Sequence, residues 1–241
     1  MIVYGLNPVI EALRAGRASE VRVTDRGGAV VREVLRIAER EHVPVRRVAP
    51  GDLDRIAHGG VHQGVAATVR DAPGRGVEDL LRGARGAPLL VVLDGIEDPQ
   101  NLGAILRSVD AAGADGVVRQ TRHAAALGGA AAKASAGAVA HVPVADVVNI
   151  ARTLETLKAA GVWTVGLAAD APRRYDEMDL TLPTALVVGA EGAGLRRLVR
   201  ERCDWLASIP MAGHVGSLNV SVAAAVVLFE AVRQRRQKAL Q

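Results

Sequence analysis

The sequence is poor in several residue types, and each shortage excludes a class of protein. One cysteine, Cys203, in 241 residues rules out a disulfide scaffold or a Cys-rich zinc module and fits a reducing compartment. There are five aromatic residues (Tyr4, Trp163, Tyr175, Trp205 and Phe229). That is too few for the stacking platform on which typical single-strand binders hold successive bases. No uninterrupted apolar run approaches the roughly 20 residues that a membrane helix needs. The opening MIVYGLNPVIEALRAG has no charged region ahead of an apolar run, so a secretory signal is not expected. His42, His58, His62, His123, His141 and His214 lack metal-ligand spacing. The expectation is a soluble, cytoplasmic chain with no metal and no membrane partner.

Lysine is scarce as well. Lys133, Lys158 and Lys238 are the only three among 30 basic residues, the others being arginines. The codon preferences of a GC-rich genome account for most of this bias. Arginine forks also match phosphate oxygens bidentately. The net charge of +4 permits a polyanionic partner without arguing for one. An RNA ligand would have to be held by phosphate, shape and polar edge contacts.

Hydrophobic residues make up 49% of the chain, enough for a sizeable core. Periodicity predicts a helix over 7–16 with Asn7 as cap and Pro8 at the first helical position. A strand at 21–25, an amphipathic helix at 27–42 and strands at 43–48 and 64–69 follow. These form a small α/β domain over 1–70. The stretch 71–88, rich in Gly, Pro, Arg and Asp, reads as a linker with one helical turn. Residues 89–241 then alternate. LLVVLDGI (89–96) is as apolar as a buried parallel strand. Helices near 101–112, 127–136, 147–160, 194–202 and 217–235 are interleaved with strands near 116, 141, 163, 184 and 205. That order predicts a doubly wound parallel sheet.

Three clusters in this second segment call for an explanation. In DGIEDPQNLGAILRS (94–108), Asn101 is placed to cap a helix. Gly103, costly there by about 1 kcal/mol against Ala, leaves the base of Arg107 uncovered. In LVVGAEGAGL (186–195), Gly189, Gly192 and Gly194 permit close approach to a ligand around Glu191. The spacing is not that of a dinucleotide fingerprint. In the third, Ile209, Pro210, Met211 and Gly213 lead to Ser217, Leu218, Asn219 and Ser221, at the mouth of a helix apolar almost all round and therefore expected to be buried. Each cluster alone fits a cap or a turn; three together in one domain do not.

Asn101-x-Gly103-x-x-x-Arg107, Gly189-Ala-Glu191-Gly192-x-Gly194 and Ile209-Pro210-Met211-x-Gly213 with Ser217-Leu218-Asn219-Val220-Ser221 resemble the three motifs of the SpoU/TrmH RNA 2′-O-ribose methyltransferases, of the SPOUT superfamily. The likeness spans 86–236, including KASAGA (133–138), HVPV and FEAVRQR. YGLNPVIEAL (4–13) and HQGVAA (62–67) are similar to the RNA-binding extension of one branch, the bacterial 23S rRNA guanosine-2′-O-methyltransferases. RQTRHAAALGGAA (119–131) departs most from the family pattern.

The resemblance implies a deep trefoil knot in the C-terminal domain, a homodimer, and S-adenosylmethionine bound by Leu167, Gly189, Ile209, Met211 and Leu218, largely through main-chain groups. It assigns Arg107 to the reacting hydroxyl, and Asn101, Glu191, Ser217 and Asn219 to the remaining polar motif positions. The expected partner is structured RNA, first of all 23S rRNA. A tRNA or other rRNA ribose, including methylation of an antibiotic-resistance type, is the nearest rival. A non-catalytic RNA-binding or ribosome-assembly protein is a rival from another class.

Overall fold

A computed structural model describes residues 1–25, 28–70 and 75–240, without the side chain of Val30. The chain opens with β1 (Ile2–Tyr4), α1 (Leu6–Arg14), β2 (Ala18–Val23), α2 (Gly28–Arg40), β3 (Val45–Arg47), α3 (Pro50–Ala57) and β4 (Val65–Val69). It continues with α4 (Val77–Gly83), β5 (Leu89–Asp94), α5 (Pro99–Ala112), β6 (Gly116–Gln120), α6 (Gly129–Ala134), β7 (Val144–Val147) and α7 (Ile150–Ala159). The last elements are β8 (Trp163–Leu167), β9 (Arg173–Arg174), β10 (Thr184–Gly189), α8 (Arg197–Arg202), β11 (Trp205–Ser208) and α9 (Val220–Ala239). Met1–Pro73, Pro99–Arg107 and Ala125–His141 form one compact unit, and the rest of the chain forms a second.

In the first unit the strands run in the order β1-β4-β2-β3. Strand β4 is antiparallel to both its neighbours, and β2 is parallel to β3. The alternation in VRV places Val21 and Val23 in the core, where they meet Ala67 and Val65 of β4. Helix α1 packs against α2 and the sheet, burying Val9, Ile10 and Leu13. It begins after Gly5, whose φ of 88° lies in the left-handed region. Asn7 is therefore inside the first turn, and the expected cap role falls to a residue two positions earlier.

The second unit contains a seven-stranded sheet in the order β7-β6-β5-β10-β8-β11-β9, parallel throughout. Strand β5 lies near its middle and all six of its residues are buried, which is why it reads as continuously apolar. The stretch 71–88 is more ordered than its composition suggests. Residues 71–74 lie outside the described residues, but α4 runs for seven residues and seats Val77 and Leu80 in the core with Leu90, Val92 and Leu154. Two apolar side chains outweigh the Gly- and Pro-rich surroundings.

Helix α9 also departs from expectation. Val220, Ala224, Val227, Leu228 and Ala231 are buried, whereas Val222 and Phe229 are each 47% exposed. Among the described residues, only one stripe of this apolar helix is covered. Its second half is held by Arg235, which donates to the carbonyls of Ala87, Pro88, Leu180 and Leu182. Burial lowers the pKa of that guanidinium, and Asp115 partly opposes the shift.

Candidate cofactor pocket and active site

Strands β10, β8 and β11 are neighbours and parallel, so their carboxyl ends open on the same edge, where open α/β sheets bind ligands. A cavity of about 410 Å³ lies there. It is walled by Leu167 at the end of β8, by Gly189 at the end of β10 and the loop to Gly194, by Ile209 and Met211 after β11, and by Ser217–Val220 at the start of α9. All five residues expected to bind a cofactor line it, together with Glu191, Ser217 and Asn219. Asn101 and Arg107 are not among the lining residues.

The shape of the 189–195 loop follows from its glycines. Gly194 N–H donates to Ala190 O at 2.8 Å and Ala193 N–H to Glu191 O at 2.9 Å, so the chain doubles back on the end of β10. Gly192 and Gly194 have φ of 75° and 67°, which other residues rarely adopt. At Gly189 the reason is space, since a Cβ there would overlap the backbone of Gly194 and Leu195.

The loop is tied down at its far end by a contact that sequence reasoning missed. Asp94, the last residue of β5 and the strand partner of Gly189, has a wholly buried side chain. Its Oδ2 accepts the Arg196 backbone N–H at 2.8 Å and its Oδ1 accepts Nε of the same residue at 2.7 Å. Nη2 of Arg196 donates to Gln120 Oε1 at the end of β6, at 2.7 Å. The available signal was a carboxylate closing a fully apolar strand, because a buried charge requires a partner.

Asn219 caps α9. Its Oδ1 accepts the N–H of Ser221 at 2.9 Å and the Ser221 hydroxyl at 2.6 Å. Glu191 and Ser217 are exposed at the cavity. Cys203, the lone thiol, packs behind β8. Burial pushes its pKa up to about 12, with Lys158 opposing and Asp204 adding, so it is a poor nucleophile.

Asn101 and Arg107 lie on α5. That helix starts at Pro99, a favoured first helical residue, so Asn101 is the third residue of the helix and not its cap. Asn101 is 5% exposed, while Arg107 is exposed. Gly103 has a different reason from the one expected. A Cβ there would lie 2.6 Å from Ala131 O and 2.8 Å from Ser135 N, so the glycine lets α5 and α6 approach closely.

The cavity fits a nucleoside-type cofactor. Its volume is within the roughly 300–1,000 Å³ of small-molecule sites, its walls are small or aliphatic, and glycines leave main-chain groups open to a ligand. Among the described residues no group of three or more His, Cys, Asp or Glu side chains is placed to hold a metal. No described helix is long and apolar enough to cross a membrane.

Comparison with known proteins agrees with this geometry. The SpoU rRNA Methylase family matches residues 88–229, and the RNA 2′-O ribose methyltransferase substrate binding family matches 2–73. An uncharacterized tRNA/rRNA methyltransferase of Mycolicibacterium gilvum is 48% identical over 98% of this chain and 77% of its own length. The 23S rRNA (guanosine-2′-O-)-methyltransferase RlmB of Pseudomonas aeruginosa is 44% identical over 97% of this chain and 96% of its own. The AdoMet complex of the SpoU methyltransferase AviRb from Streptomyces viridochromogenes superposes with a TM-score of 0.82 at 31% identity, over 98% of this chain and 91% of that one. With family matches over both segments and solved relatives of the same fold, the chain belongs to the SpoU rRNA methylase family and is an S-adenosylmethionine-dependent RNA methyltransferase.

Proposed function

We propose that the protein methylates a guanosine 2′-hydroxyl of 23S rRNA, as a cytoplasmic homodimer. The observation that carries this reading is collinearity. The P. aeruginosa RlmB matches 97% of the chain, so the likeness covers the N-terminal substrate-binding segment as well as the cofactor pocket. The half-exposed Val222 and Phe229 of α9 support a partner subunit on that face. The insertion of β10 between β5 and β8 supports a trefoil knot, one of the rare exceptions to unknotted topology.

S-adenosylmethionine supplies an activated methyl group on a sulfonium. What is left to the protein is to hold that group, to align the ribose oxygen with it, and to manage the hydroxyl proton. Leu167, Ile209, Met211 and Leu218 would enclose the cofactor, and Gly189 would let it approach main-chain groups. Arg107 has the chemistry to stabilise the forming alkoxide. A guanidinium has five N–H donors and no acceptor, so a substrate phosphate or water takes the proton. Glu191, Ser217 and Asn219 order the loops around the pocket, and Asn101 supports the first turn of α5. In this reading 1–70 docks RNA and 89–241 carries the reaction, which the family matches over 2–73 and 88–229 support.

The decisive experiment maps 2′-O-methyl positions in 23S rRNA from a strain lacking the gene. Loss of one guanosine methyl, restored by the wild-type gene, is expected. An unchanged 23S map with a lost tRNA methyl would move the target to tRNA.

A further inference from the structure

NPVIEAL in the N-terminal segment and KASAGA in the methylase segment are distinctive stretches that the cofactor pocket does not use. They meet in the first compact unit. Gly137 has φ 97°, and a Cβ on it would lie 2.6 Å from both Cβ and Cγ of Glu11. Glu11 Oε2 sits 2.9 Å from His141 Nε2. Arg17 Nη1 donates to Val139 O at 3.0 Å and to Ala140 O at 3.1 Å. Shape, a side-chain hydrogen bond and main-chain acceptors therefore all hold the turn at 137–141 against α1 and the residues after it.

The other side of the same segment bears on α5. Ala131 O and Ser135 N occupy the space beside Gly103, and Arg107 follows Gly103 by one helical turn. The packing is thus continuous from α1, through 129–141, to the helix that carries Arg107. Close-packed interiors transmit small displacements in this way.

We infer that 129–141 is a registration element, through which the RNA-docking segment sets the position of α5 and so of Arg107. Glu11 and Arg17 are positioning residues for methyl transfer and touch neither cofactor nor the reacting oxygen. The inference rests on the proposed action of Arg107 at the ribose oxygen. A shift of about 1 Å in a reacting group costs up to 10²-fold in rate, so a loosened contact acts on turnover more than on binding.

The test uses the full chain, 23S rRNA transcript and saturating S-adenosylmethionine, in single-turnover methyl transfer. Arg17→Ala removes both carbonyl contacts, and Arg17→Lys retains a donor. Arg17→Ala should lower the rate at saturating RNA at least about ten-fold, with RNA and cofactor affinities held within about three-fold. Amide exchange over 100–107 should quicken, and Arg17→Lys should recover most of the rate. Glu11→Gln, which keeps the helix and the side-chain volume, should give a smaller loss of the same kind. An unchanged rate at saturating RNA, or a loss wholly explained by RNA affinity, would overturn the inference. Arg107→Ala is run alongside. If it turns over normally, the proposed action of Arg107 fails; if it is inactive while Arg17→Ala is normal, only the coupling fails.

Discussion

Asp94 and Arg196, 102 residues apart in the chain, are joined by two hydrogen bonds that involve both the main chain and the side chain of the arginine. The carboxylate is wholly buried and the guanidinium half exposed. The pair fastens the end of the 189–195 loop, whose first part lines the cavity, to the strand beside it.

Asp94→Ala should therefore cost both stability and cofactor binding. The Arg196 backbone N–H loses its acceptor, which costs about 1–3 kcal/mol, and the loop loses its tether. Thermal unfolding and calorimetric titration with S-adenosylmethionine measure the two effects. A variant that unfolds and binds like wild type would remove Asp94 from the site.

Gly189→Ala tests the loop from the other side. A methyl group there meets backbone atoms, which cannot swing away as a side-chain tip can. Overpacking of this kind costs about 1–3 kcal/mol, and cofactor affinity should fall by up to about ten-fold if half of that cost is expressed in the pocket. Calorimetry decides it; unaltered affinity would mean that the loop has room to move.

For Arg107, both Arg107→Lys and Arg107→Ala should lower kcat by about 10²–10³, the usual loss for a donor aimed at a developing oxyanion. Lysine keeps the charge but not the planar fork. Cofactor affinity should stay close to wild type. An arginine that served only as a surface residue of α5 would change turnover by no more than about 0.5 kcal/mol in either variant, and single-turnover rates separate the two cases.

Cys203 gives a prediction with a definite sign in pH. Its folded-state pKa, about 12, lies above the roughly 8.5 of an exposed thiol. Below that ordinary value the group has no effect on stability. As pH rises towards 12 the unfolded chain loses the proton first, and stability falls. At pH 9 iodoacetamide should label the native protein slowly and the denatured protein fast. Equal rates would show that the thiol is not shielded.

Much of this was legible in the residue order. The wholly buried strand β5 announced itself through LLVVLD, because a strand covered on both faces has no polar side to show. The three motif clusters were visible because glycines, a cap residue and isolated polar side chains stand out against apolar elements. All five expected cofactor residues line one cavity, since strand ends that are remote in sequence become neighbours whenever β10 pairs with β8 and β8 with β11.

Other features were decided only by the folded chain. Gly103 suggested an exposed arginine base, but its reason is the approach of α6, and the sequence holds no mark of which helix comes near. Asn7 and Asn101 looked like caps because Asn often is one; the capping positions depend on where the backbone enters the helix. Residue types and their periods determined the elements, the motifs and the class of sheet, because these rest on local conformational preference and on burial of one face. The tether from Asp94 to Arg196, the seating of Glu11 against Gly137 and the exposed stripe on α9 depend on distances between residues far apart in the chain, and only tertiary packing sets those.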